Sequence, residues 1–318
     1  MKKIILLLVI LLAGCSNIKE GQLIYMEPDK NSPFNFPYYL FIPDDISPLD
    51  SLHLIIEPNN SGFVDDDLQK HIEKAERTAS REFYLGNYVS RQLKYPLLVP
   101  VFPRTRSEWK IYTHALDRDV MEQQNNALER IDLQLLAMAD NACDSLEKLG
   151  YKMADDYLMT GFSASGSFAN RFTALHPDKI KAVAAGGVNG LLILPMSERK
   201  DHQLKYPLGV ADIEAIIKAR FDFKRFRNTP QFYFMGELDS NDAIPYEDGY
   251  SIAERELVFQ LLGREMQPKR WQACRSIYDS LEINATLKTY HNTGHEQTET
   301  IKSAVVEFFI EVLKSEKN

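Results

Sequence analysis

Cysteine is scarce in this 318-residue chain. The three present, Cys15, Cys143 and Cys274, form no C-x-x-C pair and no spaced Cys/His cluster, which excludes a zinc signature. Basic charge is also in the minority, with 37 Lys plus Arg against 45 Asp plus Glu, a formal charge of -8 and a pI near 5.5. That balance repels a phosphate backbone, so no nucleic-acid partner is expected. Beyond the N-terminus no stretch approaches the ~18 consecutive apolar residues of a transmembrane helix. Neither an internal repeat nor a low-complexity linker breaks the chain. Glycine and proline stand at 15 each, and 44% of residues are hydrophobic and 26% charged, which rules out disorder, collagen and coiled coil. What remains is a globular chain, long enough for one large core, since single α/β domains run to ~250 residues or more.

The N-terminus reads as an address. Met1, Lys2 and Lys3 are followed by an apolar run from Ile4 to Leu12, too short to span a bilayer of ~30 Å and of the length of a signal-peptide core. Leu12, Ala13, Gly14 and Cys15 resemble the bacterial lipobox, so residues 1–14 are expected to be removed and Cys15 to be lipidated. The mature protein is then expected on a lipid tether to a membrane, outside the cytoplasm. Residues 15–36, with Pro28 and Pro33, suit a linker or a first edge strand, and 37–318 the folded domain. Cys143 shares an apolar helical stripe with Leu135, Leu136, Ala139 and Leu146, which favours core packing over a disulfide with Cys274.

Along the domain, strands alternate with helices. Strands are predicted at Tyr38–Ile42, Leu52–Ile56, Leu97–Phe102, Asp156–Thr160, Ala182–Ala185, Gln231–Met235 and Ala285–Tyr290. Helices are predicted at Asp66–Ala79, Phe83–Leu93, Leu128–Leu149, Ser165–Leu175 and Glu299–Leu313, the third carrying apolar residues on a 3.6 period up to Gly150. This alternation implies an α/β fold, a mostly parallel sheet with helices on both faces. Leu191–Thr229 is too long for a plain crossover and reads as an insertion over the sheet's C-terminal edge, a candidate lid whose FDFKRFR segment adds aromatic and cationic character.

The clearest chemistry is GFSASGS, Gly161 to Ser167, between a strand and a helix. A nucleophile elbow needs small residues two before and two after its serine because the turn is strained and crowded. Gly161 and Ser165 meet that need, which makes Ser163 the predicted nucleophile; Ser165 replaces the usual second glycine, with Gly166 one place later. A serine hydroxyl needs a histidine base held by a carboxylate, and in such sheets both follow the serine in loops after strands. His295, in NTGHE after the strand ATLKTY, suits the base better than His291, which closes that strand. The loop GELDSNDAIPY after QFYFM offers Asp239 as the acid, with Asp242 as a loop-bracing carboxylate or the acid itself.

Residues 161–187 resemble the nucleophile region of the α/β-hydrolase superfamily, especially its polyhydroxybutyrate depolymerase-like and feruloyl or acetyl esterase-like members. The acid loop, the segment RWQACRSIYDSL and the histidine loop TYHNTGHEQT follow in the family's order, so the resemblance spans about residues 38–315. It implies the α/β-hydrolase fold, a triad of Ser163, Asp239 and His295, and an oxyanion hole formed by the amide of Ala164 and one from the loop EPNNSG, with Asn59 or Asn60 as the donor or an Asn side chain in its place. On this reading the protein is a serine hydrolase of a small or polymeric carboxylic ester, needing no metal or organic cofactor. The same triad would serve a peptidase or amidase, and the departures at Ser165 and EPNNSG leave open a binding protein on a hydrolase scaffold. Trp109 and Tyr112, in the segment Pro103 to Asp119 with Arg104, Arg106 and His114, are candidates for substrate contact.

Overall fold

The computed structural model describes residues 21–47, 50–59, 62–247 and 249–315. The expected leader, Cys15 and Asn60 lie outside them. Eight strands make the main sheet: β1 (Gly21–Met26), β2 (Tyr38–Pro43), β3 (Ile55–Ile56), β4 (Leu97–Pro100), β5 (Tyr157–Phe162), β6 (Ile180–Gly186), β7 (Gln231–Gly236) and β8 (Ala285–Tyr290). Their order is β1-β2-β4-β3-β5-β6-β7-β8. β2 runs antiparallel to β1 and β4, and every pairing from β4 through β8 is parallel. The sheet is therefore mostly parallel, and β1 supplies an edge strand within 15–36.

Both faces are covered. Side chains alternate along each strand, so successive residues enter opposite cores. Tyr39, Phe41, Leu158, Ala182, Ala184, Phe232 and Phe234 face a core closed by helices α1 (Leu68–Ser80), α2 (Leu85–Leu93) and, at the far end of the chain, Glu299–Ser315. Their neighbours Tyr38, Leu40, Met159, Val183, Ala185, Tyr233 and Met235 face a second, larger core. That core is closed by α3 (Ile131–Lys148), α4 (Ala164–Leu175), α5 (Ile252–Leu262) and α6 (Trp271–Ser280), which leaves the terminal helix as α7. Asp67 caps α1 by accepting from Gln69 N at 3.0 Å. Gly150, at φ +92°, gives the chain a backbone conformation that ends the α3 region as the sequence suggested. Cys274 is fully buried, Cys143 packs against the same core, and both are free thiols.

Several boundaries differ from expectation by one to three residues, and one predicted strand is broken. Leu52–Ile56 is not one strand: Ser51–Leu52 pairs with Lys152–Met153, and the chain rejoins the main sheet only at Ile55. Between them His53 turns to Asp156, with Nδ1 2.8 Å from Oδ1. The fourth helix begins at Ala164, directly after Ser163, one residue earlier than predicted. The 191–229 segment is knit into the larger core through Leu191–Leu194, Leu204, Tyr206, Leu208, Ile213 and Phe226. Asn170 of α4 accepts from Ile193 N at 2.7 Å, and Tyr278 of α6 donates to Ile193 O at 2.9 Å. Trp271, at the start of α6, is buried and donates from Nε1 to Thr289 Oγ1 of β8 at 2.9 Å.

Candidate active site

Parallel pairing puts the C-terminal ends of β3 through β8 on one edge, the edge where loops can converge on a ligand. Ser163 stands there between β5 and α4 with φ 64° and ψ -128°. A non-glycine residue rarely adopts that conformation, at a cost of ~1–3 kcal/mol, and it persists only where its surroundings over-determine it. Here they do: Ser163 N donates to Gly186 O at 3.0 Å, and Ser167 N donates to Ser163 O at 3.1 Å.

The small residues around Ser163 divide the steric work. A Cβ on Gly161 would lie 2.4 Å from Ser165 O, and one on Gly166 would lie 2.4 Å from Gly186 O, where α4 crosses β6. Ser165 is tolerated at the usual glycine position because its hydroxyl turns inward. It accepts from Phe162 N and donates to Phe162 O, both at 2.9 Å, closing the turn with a side chain. Adding a methyl at Gly166 has no such outlet. Gly166→Ala is expected to lose about 1–3 kcal/mol of stability, the usual range for overpacking, as a lowered Tm in thermal denaturation.

Of the seven histidines, six are engaged away from Ser163. His53 pairs with Asp156, His71 with Asp65 O, His114 with Phe102 O, His176 with Asp132, His202 with Gln260 and His291 with Glu237. His295 alone lies beside the elbow, its ring 4.6 Å from that of Phe162. Its Nδ1 is 2.9 Å from Asp239 Oδ2, and Asp239 is buried. The two loops that present this pair are stitched together: Glu237 N donates to Tyr290 O and Leu238 N to Thr293 O, each at 2.9 Å. Gly236 lies so close to the histidine loop that a Cβ there would be 2.3 Å from Thr293 O. Asp242 faces elsewhere. It forms an ion pair with the wholly buried Arg270, whose guanidinium also donates to Gly190 O and Arg264 O, and this fits a brace for the loop.

Two residues that the sequence did not single out complete the geometry. Ser163 Oγ donates to Asn189 Oδ1 at 3.3 Å and accepts from Asn241 Nδ2 at 3.4 Å. The same Asn241 Nδ2 lies 3.0 Å from His295 Nε2. The Ser163 hydroxyl and the His295 ring thus meet through an amide instead of directly. Neither asparagine sits in a motif or a periodic pattern, and their partners are 26, 54 and 78 positions away along the chain, so no local signal marks them.

Of the residues expected to line an oxyanion hole, Ala164 carries the first amide of α4, with no carbonyl of its own helix to take it. Asn59 is buried, and its side-chain Nδ2 donates to Phe102 O at 3.3 Å, while its Oδ1 is buried without a partner among the described residues. Tyr112 is buried against Ala164 beneath the Arg104 guanidinium, which lies 3.5 Å from its ring. Trp109, 40% exposed, stands on the outside of the same loop. Arg104 fastens this loop to the one after β3, donating to Trp109 O at 2.9 Å and Gly62 O at 3.2 Å.

Comparison with protein-family models finds no match for this sequence, and comparison with curated proteins finds none either. Solved structures do match. Poly(aspartic acid) hydrolase-1 from Sphingomonas sp. KT-1 is similar at 14% identity over 91% of this chain and 98% of its own, with a TM-score of 0.58. A protein assigned as dipeptidyl aminopeptidase IV from Bacteroides ovatus is similar at 9% identity over 93% of this chain and 36% of its own, with a TM-score of 0.50. An S-formylglutathione hydrolase from Agrobacterium tumefaciens is similar at 12% identity over 93% and 96%, with a TM-score of 0.49. At such identities the likeness of the first two speaks to the fold alone, and the mostly parallel eight-stranded sheet with helices on both faces is that of the α/β-hydrolase fold.

Proposed function

We propose that the protein is a serine hydrolase acting on a carboxylic ester through Ser163, His295 and Asp239. The observation that carries this reading is the strained Ser163 at the mouth of β5 together with the His295–Asp239 pair, 2.9 Å apart, beside it. Asp239 fixes the proton of His295 on Nδ1, which leaves Nε2 with its lone pair toward the nucleophile. Ser163 Oγ attacks the carbonyl carbon, and its proton passes to Nε2. The carbonyl oxygen takes the negative charge and is stabilised by Ala164 N and a second amide from the 57–62 loop. His295 then returns the proton to the leaving alcohol, and water hydrolyses the acyl-enzyme by the same route. Phe63, Trp109, Leu238 and Tyr246 are exposed on loops that follow β3, β4 and β7, the same edge as Ser163, and such a rim suits an apolar acyl or alcohol group. The lipid tether at Cys15, and with it a site outside the cytoplasm, belongs to this proposal on the strength of the sequence.

An amide substrate is the second reading, motivated by the neighbour named for poly(aspartic acid), a polyamide. Intact-mass labelling with a fluorophosphonate, beside turnover of p-nitrophenyl acetate, tests the first. Wild type is expected to gain one adduct and to turn over, and Ser163→Ala to do neither. A folded wild type that is unlabelled and inactive would move the assignment to a binding protein. Faster cleavage of an amide than of the matched ester would move it to an amidase.

A further inference from the structure

The least expected feature of the site is the amide between its nucleophile and its base. Asn241 follows Asp239 by two residues, and its backbone N donates to Asp239 Oδ1 at 2.9 Å, so its position is tied to the carboxylate that holds His295. One –NH2 group then serves two acceptors, His295 Nε2 at 3.0 Å and Ser163 Oγ at 3.4 Å. Because His295 Nδ1 faces Asp239, Nε2 is the ring's acceptor, which fits a donation from Asn241. The Ser163 proton is accounted for elsewhere, on Asn189 Oδ1 at 3.3 Å. Ser163 Oγ and His295 Nε2 both have partners, and the set that provides them keeps the serine proton off its base.

We propose that Asn241 is a displaceable latch, which holds the free site uncoupled and gives way as the acyl group enters. The inference rests on the serine-hydrolase reading. In the coupled site the Asn241 amide withdraws, and the Ser163 hydroxyl rotates from Asn189 Oδ1 to His295 Nε2. The Oγ–H bond then breaks as the Oγ–C bond forms, and the proton stays on Nε2. The space that Asn241 vacates adjoins Nε2, where the leaving oxygen must sit to receive that proton. Asn241 therefore competes with the leaving group, and occupancy by one excludes the other.

Truncating the side chain separates this role from a structural one. Asn241 is exposed, and Asn241→Ala keeps the backbone donation to Asp239, so neither the core nor the acid turn is disturbed. The test is the second-order rate of labelling by a small alkyl fluorophosphonate, measured on the purified full chain with folding checked by circular dichroism. Asn241→Ala is expected to label about 5- to 30-fold faster than wild type, the factor that follows from losing one or two hydrogen bonds that hold the resting state. Asn241→Ser, too short to span both atoms, gives the same reading should the alanine variant not fold. A wild type that labels while the variants label at the same rate or more slowly would overturn the latch and leave the hydrolase standing. Folded wild type and variants that all fail to label would overturn both.

Discussion

Asp239→Asn is expected to lower turnover of an activated ester by about 10⁴-fold with the fold intact, the loss that follows when a triad carboxylate becomes its amide. The cause is the tautomer. An asparagine can donate to His295 Nδ1, which moves the ring proton to Nε2 and removes the lone pair that must receive the serine proton. Asp242→Ala is expected to fail in the opposite way. It strips the buried Arg270 guanidinium of its carboxylate partner. Leaving a buried charge uncompensated costs about 3–5 kcal/mol, seen as a shifted urea midpoint, while turnover per folded molecule stays within about an order of magnitude. A 10⁴-fold kinetic loss in Asp242→Ala beside a mild one in Asp239→Asn would reverse the roles of the two carboxylates.

The second large effect concerns pH and stability. Burial pushes the carboxyl of Glu57 up to about 7, against the hydrogen bond from Gly86 N and the charge of Lys74. Burial likewise pushes Asp117 up to about 7, against its hydrogen bond from Val120 N and the nearby Arg171. Both are acids whose folded values lie above their unfolded ones of 4.5 and 3.8, so between those values and about 7 the folded state binds more protons. Their stability contribution is fully present below the unfolded values and is lost as pH rises to about 7. The two groups are worth roughly 3 and 4 kcal/mol, respectively, over those windows. Asp132 acts at the other end: although burial opposes it, hydrogen bonds from Arg130 and His176 hold it near 2, and that contribution is lost as pH falls from 3.8 towards 2. Urea unfolding is therefore expected to show greatest stability just below about pH 4 and several kcal/mol less at pH 8. Glu57→Gln keeps an acceptor for Gly86 N without the charge. It should match wild type near pH 4 and exceed it by about 3 kcal/mol at pH 8. A difference between the two proteins that stays constant with pH would mean that Glu57 does not change its charge in this range.

The parallel sheet was legible in the sequence because strands buried on both faces are continuous apolar runs, as YYLFI, FYFM and AVAA are. Ser163 was legible for a steric reason: a strained turn restricts its neighbours to small residues, and that restriction is written in adjacent positions. The acid and histidine loops follow from chain order, which topology imposes. What could not be read was set by contacts between distant segments. Asn189 and Asn241 acquire their place only when the loops after β6 and β7 meet at Ser163. Nothing local told that Ser165 could fold its hydroxyl back onto Phe162, or that Asp242 would be drawn away by an arginine 28 residues later. The break at His53 likewise depends on Asp156, 103 residues on.

The chain has only two tryptophans, and they stand in opposite surroundings. Trp271 is sealed between α6 and β8, and Trp109 is 40% exposed on a loop at the site's edge with the Lys110 ammonium 5.7 Å from its ring. An indole in a dry interior emits to the blue of one in water and is shielded from a dissolved quencher. The protein therefore carries two resolved optical reporters without any dye. Iodide quenches the outer indole and leaves the inner one emitting, so a single emission spectrum distinguishes an event at the mouth of the site from the loss of the whole fold.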